Sequence, residues 1–117
     1  AYLVRGYTTG CVSVGSGEYR GSVIITAGRI IADWPPVAID RLRAKDLKPL
    51  LDDPPEVVIL GTGERQVFPD PSVFAILMDF GIGFEVMDNA AACRTYNILL
   101  AEQRRVALAL LIDNDPM

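Results

Sequence analysis

Histidine is absent from this 117-residue chain, and its absence removes a large part of enzyme chemistry. Without imidazole there is no serine–histidine or cysteine–histidine nucleophile pair, no histidine proton shuttle and no metal site with a histidine ligand. No pair of carboxylates with a convincing geometry takes its place. The sequence therefore predicts no catalytic residue, and it favours a protein that binds a partner over one that turns over a substrate.

Cysteine is scarce as well, since Cys11 and Cys93 are the two in the chain. They lie far apart, so they form neither a metal-ligand spacing nor a disulfide framework. Free thiols suit a reducing compartment, which favours a cytoplasmic location if the protein is bacterial. We expect no metal and no cofactor.

Long hydrophobic runs and an excess of basic charge are also missing. The longest apolar stretch, residues 106–112, is far shorter than the roughly 20 residues of a membrane-spanning helix. Residues 1–9 carry Arg5 with no apolar block behind it, so no signal peptide is expected, although a removed leader would leave the same sequence. The net charge of −4 argues against a nucleic-acid partner, although the arginine-rich set of basic residues is compatible with a local basic patch.

What is present indicates a single α/β domain over residues 1–117. The first third is β-rich, because short runs of Val, Ile and Tyr alternate with turn residues, at 3–7, 11–14, 19–26 and 29–34. The breaks are short, which favours antiparallel hairpins.

Helical patterns enter in the middle of the chain. Residues 46–51 are typical of a short helix with Asp46 as its N-cap. A second helix opens at Asp70 and Pro71, the preferred cap and first-turn residues, and Gly81 is its expected end.

Two further strands surround that second helix. Residues 57–60 are a continuous apolar run, which indicates a strand buried on both faces. Residues 84–87 form the next strand, and Asp88 or Asn89 then caps a third helix. Strand, helix, strand and helix in this order predict a crossover and parallel pairing.

The end of the chain is ambiguous. Residues 101–112 are good helix formers, but Val106, Leu108, Leu110 and Ile112 alternate with residues that are also apolar, as in a central strand. The pattern alone slightly favours a helix.

Several stretches together resemble one family, the small α/β domains that include assembly factor 3 of mitochondrial complex I and bacterial relatives of unassigned function. They are Gly-Ser-Val at 21–23 leading to Ile-Ala-Asp-Trp at 31–34, Val-Ile-Leu-Gly-Thr-Gly at 58–63, Gly-Ile-Gly-Phe-Glu-Val-Met-Asp at 81–88, and Ala-Ala-Cys-Arg-Thr-Tyr-Asn-Ile-Leu-Leu-Ala-Glu at 91–102 with Arg-Arg-Val-Ala at 104–107.

The resemblance implies a β-rich amino-terminal part followed by a mixed, mostly parallel sheet with helices packed against it. It also implies a last strand antiparallel to the others, which changes our prediction for residues 105–112 from helix to strand. Two positions depart from the family, which usually has Thr where this chain has Asn89 and Gly where it has Gln103. The second change removes the residue best suited to a left-handed helix stop.

Candidate site residues gather where the buried strand ends. Gly61, Thr62 and Gly63 follow residues 57–60, and ligands of open α/β sheets collect outside the carboxyl ends of strands. The amino end of the last helix, with Asp88 and Asn89, should lie beside them and offer free N–H groups to an anion. Equally, the glycines fit a tight turn with no ligand.

Two side chains of the last helix extend this candidate site. Arg94 is suited to clamp an anion, and Cys93 in the first turn is a candidate for a lowered pKa. The alternative is that Cys93 and its alanine neighbours are small only to let the helix pack on the sheet. Trp34 is either a core residue or an anchor at a protein interface.

We therefore carry two hypotheses of function. The first is a non-catalytic protein-interaction or assembly-factor-like module with a protein partner, acting in the biogenesis of a membrane complex and associated with it peripherally. It leans on the family resemblance, which also implies a mitochondrial location if the protein is eukaryotic. The second is a small-anion or nucleotide binder, or an enzyme, that uses the Gly-Thr-Gly loop and the start of the last helix.

Overall fold

This computed structural model describes residues 1–113, and within them the chain forms eight strands, two α-helices and three 3₁₀ helices. The strands are β1 (Val4–Thr8), β2 (Cys11–Val14), β3 (Gly17–Tyr19), β4 (Val23–Thr26), β5 (Arg29–Ile31), β6 (Val57–Gly61), β7 (Gly83–Met87) and β8 (Val106–Leu110). The helices are α1 (Ala75–Asp79) and α2 (Asn89–Ala101), with 3₁₀ helices at Ile39–Arg41, Ala44–Leu51 and Pro71–Val73. No helix of this part is both long and apolar enough to cross a bilayer.

The amino-terminal part is a three-stranded antiparallel sheet in which β2 pairs with β1 and with β3. Gly10 and Gly15 take positive φ angles of 81° and 58° at its two turns, where glycine carries no steric cost. The predicted β-rich start is thus confirmed. The single predicted run over residues 19–26 is wrong in detail, because β3 and β4 belong to different sheets and residues 20–22 pass between them.

The second sheet has the order β5-β4-β8-β6-β7. β6 pairs in parallel with both β7 and β8, while β4 is antiparallel to β5 and β8. The predicted fold class, a mixed sheet with helices packed on it, is confirmed. Its orientation detail needs correction: the last strand is antiparallel to β4 alone and parallel to β6, so parallel and antiparallel pairings are equal in number in this sheet.

The ambiguous carboxyl-terminal segment is a strand because it lies in the centre of the sheet. Val106, Leu108 and Leu110 face one apolar core, and Ala107 and Ala109 face the other. A strand with a core on each side is apolar at every position, which removes the alternation that normally reveals a strand.

The core facing α2 joins the two sheets. Tyr96 is fully buried there, and its hydroxyl donates to the Tyr2 carbonyl at 2.6 Å. The Asn97 amide accepts from the Val4 N–H at 3.0 Å and donates to the Val4 carbonyl at 2.8 Å. Because an amide can mimic a strand neighbour in this way, α2 holds β1 against the second sheet.

The core on the opposite face contains Trp34, which has only 3% of its surface exposed. Its indole N–H donates to the Asp46 carbonyl at 2.8 Å, inside the 3₁₀ helix Ala44–Leu51. That helix begins before the predicted residue, and the Asp46 carboxylate accepts from the Arg43 N–H at 2.8 Å within the first turn. Of the two predicted alternatives for Trp34, the interface anchor is therefore wrong. Trp34 is a core residue that holds the 3₁₀ helix on the sheet.

The remaining caps follow the sequence. The single helix predicted between Asp70 and Gly81 is divided into the 3₁₀ helix Pro71–Val73 and α1. The Asp70 carboxylate caps the first by accepting from the Ser72 N–H at 2.9 Å, and Gly81 follows α1 with a φ of 71°. At the end of α2, Gln103 takes a φ of 62°. Its N–H donates to the Leu100 carbonyl and the Arg104 N–H donates to the Leu99 carbonyl, so a left-handed helix stop forms without glycine.

Candidate functional site

The loop after β6 and the amino end of α2 lie together at one rim of the five-stranded sheet. The Thr62 N–H donates to the Met87 carbonyl at 2.9 Å. Asn89 and Gly63 bond in both directions, from the Asn89 N–H to the Gly63 carbonyl at 2.8 Å and from the Gly63 N–H to Asn89 Oδ1 at 3.0 Å. The predicted juxtaposition follows from β6 and β7 being parallel neighbours, whose carboxyl ends share an edge.

Asn89 is the centre of this rim, with 1% of its surface exposed. Its Nδ2 donates to the Leu111 carbonyl at 3.0 Å and to the Tyr7 hydroxyl at 3.1 Å. All three hydrogen-bonding positions used here point to other parts of the chain. Asn89 therefore joins β6, α2, the segment after β8 and the first hairpin through one buried amide.

Gly61 is required by this same packing. A Cβ atom on Gly61 would lie 2.3 Å from Asn89 Oδ1, 2.6 Å from Leu110 Cδ2 and 3.3 Å from Ala92 Cβ. Those separations are far below van der Waals contact. The first glycine of the Gly-Thr-Gly sequence thus allows α2 to approach the sheet, whereas Gly63 supplies a left-handed φ of 106°.

Thr62 is buried, and its hydroxyl organises the loop that follows. The hydroxyl lies 2.5 Å from the Arg65 carbonyl and accepts from the Val67 N–H at 3.0 Å. A threonine that both donates and accepts locally needs no ligand to satisfy it.

The first turn of α2 has few N–H groups left for an anion. The N–H of Asn89 is bonded to Gly63, that of Ala91 to the Asp88 carboxylate at 2.9 Å, and that of Ala92 to the Asp88 carbonyl at 2.9 Å. Asp88, one of the two predicted candidates, is the N-cap, and its negative charge already complements the helix dipole.

Neither Cys93 nor Arg94 lines the cavity at this rim. Cys93 is buried against the core, and burial raises the pKa of its thiol to about 12, with a smaller opposing effect of the Arg94 charge. The expectation of a lowered Cys93 pKa is therefore wrong, since desolvation outweighs the helix terminus. Arg94 is exposed and lies outside the rim cavity. Anion binding by Arg94 stays a prediction.

A 160 Å³ cavity lies above this rim and is covered by the first hairpin. The Tyr7 hydroxyl donates to Glu64 Oε2 at 2.5 Å and the Thr9 hydroxyl donates to Glu64 Oε1 at 2.9 Å. Burial, together with the neighbouring Glu64, raises the pKa of Tyr7 to about 12. The charged side chains that line the cavity, Glu64 and Asp113, are both acidic, which disfavours an anion inside it.

A larger cleft lies at the opposite rim of the sheet, and sequence reasoning missed it. Its volume is 520 Å³, and its walls come from the β4–β5 hairpin, the end of the 3₁₀ helix Ala44–Leu51, the end of α2 and the start of β8. Arg29, Arg104 and Arg105 line it. Arg104 and Arg105 stand in one of the stretches that carry the family resemblance, but nothing in the sequence places Arg29 beside them.

Three exposed apolar side chains belong to segments that precede β7 in the chain or bond to it, and β7 is the outermost strand on its side of the sheet. Phe68, Met78 and Phe80 expose 71%, 67% and 56% of their surfaces. Met78 lies in α1, Phe80 follows it, and Phe68 stands two residues after Gln66, whose amide donates to the Val86 carbonyl on β7 at 2.9 Å. We call Phe68, Met78 and Phe80 with the outer edge of β7 the β7 surface.

Known proteins resemble this chain along nearly its whole length. A protein of Francisella tularensis named "13 kDa major membrane protein" is 27% identical over 106 residues, which is 90% of this chain and 86% of that protein. The NMR structure of a Xanthomonas campestris protein superposes with a TM-score of 0.88 at 37% identity and covers 100% of this chain and 89% of that one.

A eukaryotic relative matches over a shorter part. NADH dehydrogenase [ubiquinone] 1 alpha subcomplex assembly factor 3 of Xenopus tropicalis is 38% identical over 66 residues, which is 53% of this chain and 36% of that protein. The matched part is thus about a third of the assembly factor's own length. The model of the family described as "Protein of unknown function (DUF498/DUF598)" matches residues 4–111. The resemblance found in the sequence is therefore confirmed: the chain belongs to the DUF498/DUF598 family and is homologous to complex I assembly factor 3.

Proposed function

We propose that this protein is a non-catalytic interaction module that binds a protein partner during the assembly of a membrane complex. The observation that carries the proposal is the β7 surface, which combines exposed aromatic side chains with a strand edge that has no partner strand among the described residues. The similarity to an assembly factor supports the same class of function.

The strand edge supplies the first part of the argument. β7 pairs with β6 on one side, and no strand within residues 1–113 pairs with its other side. Its outer N–H and C=O groups are a template on which an extended segment of another protein can add a strand. The Gln66 amide donates to one of these groups, the Val86 carbonyl, at 2.9 Å.

The apolar side chains supply the second part. Phe84 of β7 stacks on Phe74 with ring centroids 4.2 Å apart, so the base of this surface is well packed. Phe68, Met78 and Phe80 have no such cover. Aromatic and methionine side chains that stay exposed beside a free edge are typical of protein interfaces.

The rim around Asn89 supports a binding module in a different way. Its buried polar groups are bonded to one another, so they stabilise the fold and are not available to a ligand. We therefore place the function at another surface. An anion at the Gly-Thr-Gly loop has less support, because Glu64 and Asp113 line the adjacent cavity.

The experiment is affinity purification of the tagged chain from detergent-solubilised cells, with quantitative mass spectrometry. We expect a subunit or assembly protein of a membrane complex to co-purify with the wild type. The double variant Phe68→Ser/Phe80→Ser should lose it, because the interface anchors are removed without deleting a core residue.

Ile98→Ser is the matched control, since Ile98 is a 58% exposed apolar residue on α2 and not part of the β7 surface. It should retain the partner. Retention of the same partner by the double variant would refute the β7 surface, and a partner set without any membrane-complex protein would refute the assembly role.

We propose that the protein is peripherally associated with a membrane complex. Its location would be the cytoplasm in a bacterium and the mitochondrion in a eukaryote. Cell fractionation tests it: the protein should divide between the soluble fraction and a membrane fraction that releases it in high salt or carbonate. Release by detergent alone would contradict this location.

A further inference from the structure

The 520 Å³ cleft exists because two strands stop pairing before they end. β8 pairs with β6 along its whole length, from Val106 to Leu110, but with β4 only over Leu108–Leu110. Ile25 and Leu108 form the last pair. After Ile25 the chain turns through the hairpin into β5, so Val106 and Ala107 at the start of β8 have no partner on β4. The cleft lies in the resulting gap.

The walls of the cleft are mainly hydrocarbon. Ile24 and Ile31 come from the hairpin strands, Leu50 from the 3₁₀ helix, and Leu100 from α2. The volume lies within the range of about 300–1,000 Å³ that small-molecule sites occupy. The interior therefore suits an apolar body the size of a small metabolite.

The mouth of the cleft is positively charged, in a protein whose net charge is −4. Arg29, Arg104 and Arg105 line it, against one acid, Asp53. Arg105 pairs with Asp53 at 3.8 Å, and Arg104 pairs with Glu56 at 3.6 Å.

Arg29 has no ion pair within residues 1–113. Near the end of α2, the Leu100 and Leu99 carbonyls accept from the Gln103 and Arg104 N–H groups, which reduces their repulsion of an anion. One uncompensated guanidinium thus remains beside an apolar chamber.

From this combination we infer that the cleft binds a small anionic amphiphile, with its carboxylate or phosphate head at Arg29 and its hydrocarbon body between the hairpin and β8. This site is independent of the β7 surface. It also lies at the opposite end of β6 from the Asn89 rim, about 13 Å along the strand.

The test is an NMR titration of the ¹⁵N-labelled chain with decanoate, decyl phosphate, inorganic phosphate and decylammonium, all below micelle-forming concentrations. We expect saturable amide shifts at residues 26–29 and 100–107 with decanoate or decyl phosphate. The two anionic probes distinguish a carboxylate from a phosphate ligand. Inorganic phosphate should shift little, because it has no hydrocarbon body.

Two variants test the parts of the site separately. Arg29→Ala should weaken binding of the anionic probe roughly tenfold, the loss expected for one charge-assisted hydrogen bond. Ala27→Trp should abolish binding by filling the cleft, since Ala27 lines it from an exposed position. Arg5→Ala removes an exposed arginine on β1 and should leave the affinity unchanged.

The fold of each variant is checked by the dispersion of its amide spectrum outside the cleft. The inference is overturned if decylammonium binds as tightly as decanoate, if the shifts spread over the β7 surface without saturating, or if a folded Arg29→Ala binds both anionic probes as the wild type does.

Discussion

Asn89 and Gly63 are bonded reciprocally, through the Asn89 N–H to the Gly63 carbonyl at 2.8 Å and the Gly63 N–H to Asn89 Oδ1 at 3.0 Å. The same asparagine reaches Leu111 and Tyr7 with its remaining donors. An anion site at this rim would need free N–H groups. The Asn89 and Gly63 N–H groups are instead bonded to each other's residue, and the Asn89 amide connects distant parts of the chain. We interpret the Gly-Thr-Gly loop and the start of α2 as a structural junction.

This junction predicts that Asn89→Ala is strongly destabilising. The substitution leaves the Gly63 N–H and the Leu111 carbonyl without their partner, and each buried unsatisfied group costs about 1–3 kcal/mol. We expect the free energy of unfolding in urea to fall by about 3 kcal/mol. Gln66→Ala is the control, because its amide makes one bond at an exposed site and its loss should cost about 1 kcal/mol or less. Equal losses for the two variants would contradict the buried junction.

Gly61→Ala should destabilise the protein through overlap alone. The new methyl group would meet Asn89 Oδ1 and Leu110 Cδ2, both held in the core, so the free energy of unfolding should fall by about 2–3 kcal/mol. Gly21→Ala is the matched control, since a Cβ there meets nothing within 4 Å. Thermal or urea unfolding of the two variants side by side decides the matter, and an unchanged Gly61→Ala protein would show that α2 does not approach β6 so closely.

Gln103→Gly should stabilise the protein. A non-glycine residue in the left-handed region costs about 1–2 kcal/mol, and glycine removes that cost while adding some entropy to the unfolded chain. With a φ of 62° at Gln103, we expect a gain of roughly 0.5–1 kcal/mol in the free energy of unfolding. Gln103→Ala keeps the strain and should show no gain. A loss on introducing glycine would mean that the Gln103 side chain has a stabilising contact of its own.

Stability should fall as the pH rises from about 9 to about 12. Burial raises the pKa of Cys93 from 9.0, and those of Tyr7 and Tyr96 from 10.0, to about 12 in each case. In this window the unfolded chain has released these protons while the folded chain retains them, so unfolding becomes more favourable. Below pH 9 both states hold the protons, and the contribution to stability is fully present.

Urea unfolding at several pH values measures this effect. Cys93→Ala removes the group that ionises first in the unfolded chain, so the decline in stability between pH 9 and 10 should become less steep than in the wild type. An equally steep decline in the variant would contradict the burial of the thiol.

Local patterns predicted much of this fold. The turns of the first sheet, the Asp70 cap and the fully buried β6 were predicted because neighbouring residues determine them, and the cap of α2 was narrowed to Asp88 or Asn89. The last strand could not be predicted from its own residues, because β8 is apolar on both faces. The family resemblance, not the periodicity, identified it as a strand.

The candidate site shows where local reasoning ends. Strand order was enough to bring Gly63 and Asn89 to one rim, since parallel neighbours share their carboxyl edge. Whether their polar groups face solvent or each other depends on the first hairpin, which is distant in the sequence and folds over them. Trp34 was undecided for the same reason, because its burial depends on a 3₁₀ helix that packs over it.

By itself, the sequence determined the class of domain, its family, and the absence of histidine chemistry, because composition and local spacing are sufficient for each. Only the tertiary structure decided which polar groups were left over for binding. Burial raises the pKa of the Cys93 thiol instead of lowering it, and the side-chain donors of Asn89 are bonded inside the protein. Arg29 has no ion pair within the described residues and lines a cleft formed where β4 and β8 separate. Each of these outcomes depends on contacts between residues far apart in the chain, and no local pattern encodes them.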